Sequence, residues 1–200
     1  MAETVVHLVR HGEVHNPGKI LYGRLPGFHL SSRGRSMAAR TATTFRGRDV
    51  TYLAASPMER VQETAAPIAE VTGLDIQIDP DLIEAGNTFE GLRTKGFPNQ
   101  LLNPIRWRHM TNPLQPSWGE PYSAILERMQ RAVAAARTQA EGHEAVLVSH
   151  QLSIVMVQRW AAGKPLAHVS RTCNLASVTS LTFNGDTLTG WTYDEPARDI

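Results

Sequence analysis

Short apolar, β-branched runs alternate along this chain with longer stretches whose apolar residues recur every three to four positions. The first run, Val5, Val6, Leu8 and Val9, ends at "RHG" and reads as a buried strand entering a loop. After the Gly- and Pro-rich "NPGKILYGRLPGFHLSSRG", the spacing predicts a helix from about Arg33 to Phe45 and then a strand in "DVTYLAAS". "SPMERVQETAAPIAEVTG" places Val61, Ala65 and Ile68 on one helical face, with Gly73 as a stop and Pro67 expected to kink it or begin a new turn. "LDIQID" reads as a short strand.

Residues 86 to 121 break the pattern. Pro98, Pro104, Pro113, Pro116 and Pro121 lie among basic residues and two tryptophans, the mark of an irregular insertion or lid. Periodicity resumes with a helix from about Tyr122 to Ala140, the strand "EAVLVSH", and the helix "QLSIVMVQRWAAG" closed by Gly163 and Pro165. The alternating "LASVTSLTFNGDTLTGWTY" predicts a hairpin turning near Asn184-Gly185. Strands alternating with helices imply an α/β domain, a mostly parallel central sheet flanked by helices on both faces. Its length of 200 residues and 42% hydrophobic content suit one compact domain.

Charge removes several function classes. Lysine plus arginine number 20 against 19 acidic residues, so no general field points to nucleic acid or membrane. Anionic ligands would need a local cluster. Cys173 is the sole cysteine, which rules out an internal disulfide and argues against a thiolate zinc site. It reads as a structural thiol. The start "MAETVVHLVRHGE" has no signal-peptide pattern, and no apolar run reaches 18 residues. A cytosolic chain without metal or other cofactor is the expectation.

Candidate chemistry lies at the strand ends. His7, His11 and His15 recur at a spacing of four, yet on a strand such positions lie roughly 13 Å apart and cannot share one metal. In open α/β sheets ligands bind beyond the carboxyl ends of strands. Three strands here end in polar residues, "HLVRHG", "YLAASPMER" and "VLVSH", which brings Arg10, His11, Arg60 and His150 to one rim. Two permanent cations and two imidazoles suit a phosphate, because guanidinium offers paired donors to its oxygens. An imidazole with one free nitrogen can attack phosphorus, and "DLIEAGNTFEG" supplies Glu84 or Glu90 as the acid for the leaving group.

These segments resemble the histidine phosphatase superfamily, also called the phosphoglycerate mutase-like family. "LVRHGE" at 8–13, "SPMERVQETA" at 56–65, "LIEAGNTFEG" at 82–91 and "VSHQ" at 148–151 are similar to its motifs and follow their order, with "LSSRG" at 30–34 and "GEP" at 119–121 as further matches. The resemblance implies that His11 is the residue phosphorylated, that Arg10, Arg60 and His150 form the phosphate pocket, and that Glu84 donates the proton. It also implies phosphate contacts from Asn16, one place earlier than usual, and from Gln151, where the family has glycine. Glu63 stands where glutamine is common.

The expected activity is a metal-independent phosphatase for small phosphorylated metabolites. A phosphoglycerate mutase and a non-catalytic phosphoryl-binding module are the alternatives. The mutase is disfavoured because its substrate-loop motifs are not recognisable in 86–121, and a binding module would need neither nucleophile nor acid. Arg93, Lys95, Arg106, Arg108 and His109 read either as a solvated face or as contacts to a second anionic group on the substrate. Trp107 and Trp118 read as packing residues of the lid. His7, His15, His29, His109, His143 and His168 read as structural or surface histidines. No partner beyond the metabolite is expected, apart from a homodimer, which the sequence leaves open.

Overall fold

The structure, a computed structural model, describes residues 3–93, 119–167 and 173–200. Lys95, Arg106, Trp107, Arg108, His109, Trp118 and His168 lie outside the described residues, as does most of the expected lid. Among the described residues six strands form one sheet: β1 (Glu3–Arg10), β2 (Val50–Ala55), β3 (Gln77–Ile78), β4 (Glu144–Ser149), β5 (Val178–Asn184) and β6 (Thr187–Asp194). Their spatial order is β3-β2-β4-β1-β5-β6. The first four are mutually parallel, and the β5–β6 hairpin continues the sheet with antiparallel pairings. The sheet is therefore mixed, with its parallel part carrying the rim of interest.

Side chains alternate across the strands, so each strand feeds two cores. Val6, Leu8, Ala54, Ala145 and Leu147 pack against α3 (Tyr122–Gln139) and α4 (Gln151–Ala161). Val9, Leu53, Ala55, Val146 and Val148 pack on the other face, against α1 (Ser32–Ala42) and α2 (Glu59–Thr72). Burial on both faces explains why β1, β2 and β4 read as near-continuous apolar runs. Fully burying each large aliphatic side chain contributes on the order of 1.5–3 kcal/mol.

Local differences from the sequence reading have physical causes. The α1 segment ends at Ala42 and tightens into a 3-10 turn, Thr43–Phe45, which tucks Phe45 into the core. Pro67 does not end α2. It deletes one hydrogen bond to the preceding turn, while the buried face of Val61, Thr64, Ala65 and Ile68 holds the helix together. Gly73, at φ 72°, closes it in the left-handed conformation, its N–H donating to Ala69 O. "LDIQID" yields only a two-residue strand with both side chains exposed, because an edge position leaves them no core to enter.

Candidate active site

β1 and β4 are adjacent and parallel, with Arg10 opposite Ser149. Beyond β1 the chain proceeds to α1 on one face, whereas beyond β4 it enters α4 on the other. This divergence opens a crevice at the carboxyl ends of two neighbouring strands. The next residue of each strand, His11 and His150, stands there. His11 N–H donates to Ser149 O at 3.1 Å, and the two imidazole rings meet edge to face with centroids 5.4 Å apart.

The His11 side chain is buried, and its Nδ1 lies 2.8 Å from Gly12 O. A carbonyl only accepts, so Nδ1 carries the ring proton and the Nε2 lone pair is left for chemistry. Gly12 is required there by space, since a Cβ would lie 2.5 Å from Gly34 O. A Cβ on Gly34 would collide in turn with Glu13 O, so the loop after β1 crosses the start of α1 backbone to backbone. Gly12 N–H donates to Thr64 Oγ1 at 3.1 Å, which ties the same loop to α2.

Arg60 sits in the first turn of α2 and is fully buried. One terminal nitrogen donates to Gly23 O at 2.7 Å and lies 3.3 Å from His150 Nδ1, and the guanidinium rests 4.8 Å from the centre of the Tyr22 ring. Its Nε and other terminal nitrogen, and Nε of Arg10, are buried without a hydrogen-bond partner among the described residues. Unpaired buried guanidinium donors are costly unless an anion takes them. Arg10 is anchored by one bond, to Cys173 O at 2.7 Å.

His150 caps α4 and is fully buried, its Nε2 lying 2.9 Å from Ser56 Oγ. With Nδ1 facing the Arg60 donor, the ring proton belongs on Nε2, pointing at Ser56. Glu84 brings Oε2 to 3.6 Å from His150 Nδ1, while its Oε1 accepts from Ala85 N–H at 2.8 Å. Burial, then the adjacent Arg10 and Arg60, hold His11 well below the usual imidazole range. Burial, then His11 and Arg60, do the same to His150. Burial pushes the Glu84 carboxyl up, against the pull of Arg60 and Arg10. Near neutral pH the site thus combines two neutral imidazoles, a carboxyl whose pKa is raised by burial, and two fixed cations.

The structure brings Arg10, His11, Arg60, Glu84 and His150 together. It places Asn16 differently: its amide is committed at both ends to Ile20, accepting from Ile20 N–H at 3.0 Å and donating to Ile20 O at 2.8 Å. Gln151 donates to Cys173 O at 3.1 Å, the same carbonyl that anchors Arg10, and both line a cavity of about 590 Å³ with Arg33, Asn174 and Arg198. Glu63 turns to His29 Nδ1 and Leu30 N–H, and Glu90 packs against Gly23. Tyr22, Ser56 and the carbonyls of Gly23 and Cys173 escaped the sequence reading. Only Ser56 carried a signal, as the polar residue closing "YLAAS".

Donor atoms of His11, Glu84 and His150 lie within 4.8 Å of one another, close enough to hold a metal ion. The two guanidiniums beside them make this a poor fit for a dication and a good one for an anion.

The histidine phosphatase superfamily (branch 1) model matches residues 6–194. The chain belongs to this superfamily. Among its relatives is the Mycobacterium tuberculosis protein Rv0525, 51% identical over 197 residues and 98% of each chain. A probable phosphoglycerate mutase, GpmB of Escherichia fergusonii, is 28% identical over 80% of this chain and 75% of its own. Among solved structures, the mycobacterial glucosyl-3-phosphoglycerate phosphatase Rv2419c superposes with a TM-score of 0.75 at 22% identity, covering 96% of this chain and 98% of that one. The similar proteins thus include a probable mutase by sequence and a phosphatase by fold. No helix among the described residues is long and apolar enough to cross a membrane.

Proposed function

We propose that the protein is a metal-independent phosphatase of small phosphomonoesters, working through a phosphohistidine on His11. One observation carries this reading: a His11 ring held with its proton on Nδ1, beside buried Arg10 and Arg60 donors that lack partners among the described residues. The arginines take the phosphoryl oxygens and spread their charge as the transition state forms. His11 Nε2 attacks phosphorus in line, the N–P bond forms, and the ester P–O bond breaks. Glu84 gives its proton to the departing oxygen. Water then attacks the phosphohistidine, the Glu84 carboxylate takes the water's proton, and the N–P bond breaks to release orthophosphate. The sum is ester plus water to alcohol plus phosphate.

Transfer of the phosphoryl group to a bound sugar acid instead of water is the second reading, favoured by the similarity to GpmB. A phosphorus NMR time course in EDTA, with phosphomonoesters that include 3-phosphoglycerate and a trace of its bisphosphate, separates the two. Growth of orthophosphate is the expected result. Appearance of 2-phosphoglycerate without orthophosphate would establish the mutase, and an unchanging spectrum would leave neither activity standing.

A further inference from the structure

The carbonyls of four consecutive residues, Asp81 to Glu84, each accept a hydrogen bond from a side chain. Arg128 of α3 takes Asp81 O at 2.5 Å, Ser149 of β4 takes Leu82 O at 2.7 Å, and Ser153 of α4 takes Ile83 O at 3.2 Å. The fourth, Glu84 O, accepts from Arg24 Nε at 2.7 Å. The first three donors belong to regular elements of the core. Arg24 alone comes from the loop between β1 and α1, the loop that also braces Arg60.

That loop is stiff at this point. Leu25 N–H donates to Tyr22 O at 2.7 Å, closing a turn in which Gly23 has φ 40° and the Glu90 side chain packs against it. Tyr22 lies under the Arg60 guanidinium, Gly23 O accepts from it, and Arg24 holds the backbone of Glu84. A second bond orients Arg24, to Glu120 Oε2 at 2.8 Å. Glu120 also receives Arg128 at 3.0 Å, so one carboxylate joins the two arginines that grip either end of the 81–84 segment.

We infer that Arg24 is a positioning residue: three adjacent residues, Tyr22, Gly23 and Arg24, set the phosphate-gripping Arg60 and the proton-donating Glu84 at a fixed mutual distance. This rests on the reading of Glu84 as the acid. Small displacements of a proton donor are costly in rate, whereas a half-exposed ion pair such as Arg24–Glu120 contributes little to stability. The role is therefore visible in turnover and not in folding. Arg24 is 38% exposed, so its removal leaves no hole in a core.

The test compares Arg24→Ala with the wild type on an alkyl phosphate, whose leaving group needs a proton, and on p-nitrophenyl phosphate, whose leaving group does not. The loss of kcat/KM on the alkyl ester is expected to exceed the loss on the aryl ester by roughly tenfold or more. Orthophosphate should inhibit the variant within about threefold of the wild type, since the phosphate grip remains. Equal losses on both esters, with orthophosphate binding weakened in parallel, would overturn the proposal in favour of simple loop packing. No loss on either ester would make the contact an idle surface pair. A wild-type protein that hydrolyses neither ester would fail before any variant is compared and would remove the acid role itself.

Discussion

Two histidines four residues apart, His7 on β1 and His11 just beyond its end, have opposite surroundings. Within β1, His7 is buried between Ser180 Oγ at 2.8 Å and Glu144 Oε2 at 3.1 Å, and its ring meets Phe45 edge to face. Glu144 is in turn held by two nitrogens of Arg48, at 2.7 and 3.0 Å. Both ring nitrogens are satisfied and each charge has an opposite neighbour. Beyond the carboxyl end, His11 has one carbonyl for Nδ1, and the cations around it keep donors that find no partner among the described residues. Burial lowers both imidazoles. What separates structure from chemistry is whether the protein itself supplies the counter-charge, not the residue type or its depth.

The largest expected effect breaks the comparison outright if it fails. His11→Ala should reduce turnover by roughly 10⁴-fold or more, because both steps pass through its Nε2. His7→Gln should leave kcat within about threefold, since its bonds end in the sheet. Steady-state assays of the two purified variants decide this, and similar losses in both would erase the distinction.

Arg60→Met addresses the cost of the unpaired cation. Without it the phosphate grip weakens, and competitive inhibition by vanadate should fall by about 100-fold, the loss of charge-assisted bonds worth roughly 1.5–3 kcal/mol. Chemical denaturation should nevertheless show stability within about 1 kcal/mol of the wild type, because a desolvated charge leaves together with its bonds to Gly23 and Tyr22. A loss of several kcal/mol would mean that Arg60 is structural.

Of similar size is Glu84→Gln, expected to slow alkyl phosphate hydrolysis by about 10²-fold. The acid must be protonated, and burial raises its pKa. The wild-type kcat/KM on such esters should therefore fall as pH rises through a value above the ordinary carboxylate range. In the variant that alkaline limb should disappear, which a pH–rate profile on one alkyl ester tests.

How much of this was legible depended on how local the cause was. Strands buried on both faces spell themselves as apolar runs, and His11 and His150 could be placed because each directly follows such a run. Arg60 followed from its position one turn beyond a strand end. Glu84 and Glu90 were not separable on composition. What distinguishes them is the set of donors from α3, β4, α4 and the loop at 24 that fixes the 81–84 backbone, contacts between residues up to 70 positions apart. Asn16 shows the same limit in reverse: an amide beside a glycine and a proline closes its own loop when Ile20 is within reach, and nothing in the residue names announces it. The His7 network was invisible for a similar reason, since Glu144 and Ser180 meet it only through strand pairing.

The smallest effect sharpens the comparison from its quiet end. Arg48 is 44% exposed, so Arg48→Met should cost about 1 kcal/mol or less at pH 8, where His7 is neutral in both the folded and unfolded chain. His7 has a folded pKa below its unfolded value of about 6.5, chiefly from burial, so the unfolded chain binds the extra proton first. Stability is then complete above about pH 6.5 and is lost as pH falls from there toward the folded value. Arg48 is one of the causes that hold His7 down, opposing Glu144. Its removal lets the folded pKa rise, which narrows the window and reduces the loss. Urea denaturation of wild type and variant between about pH 8 and pH 5.5 should therefore give curves that converge in acid. His11 and His150 are lowered too, but they titrate alike in both proteins and cancel in the difference. Curves that stay parallel would show that Arg48 holds Glu144 without touching the titration of His7.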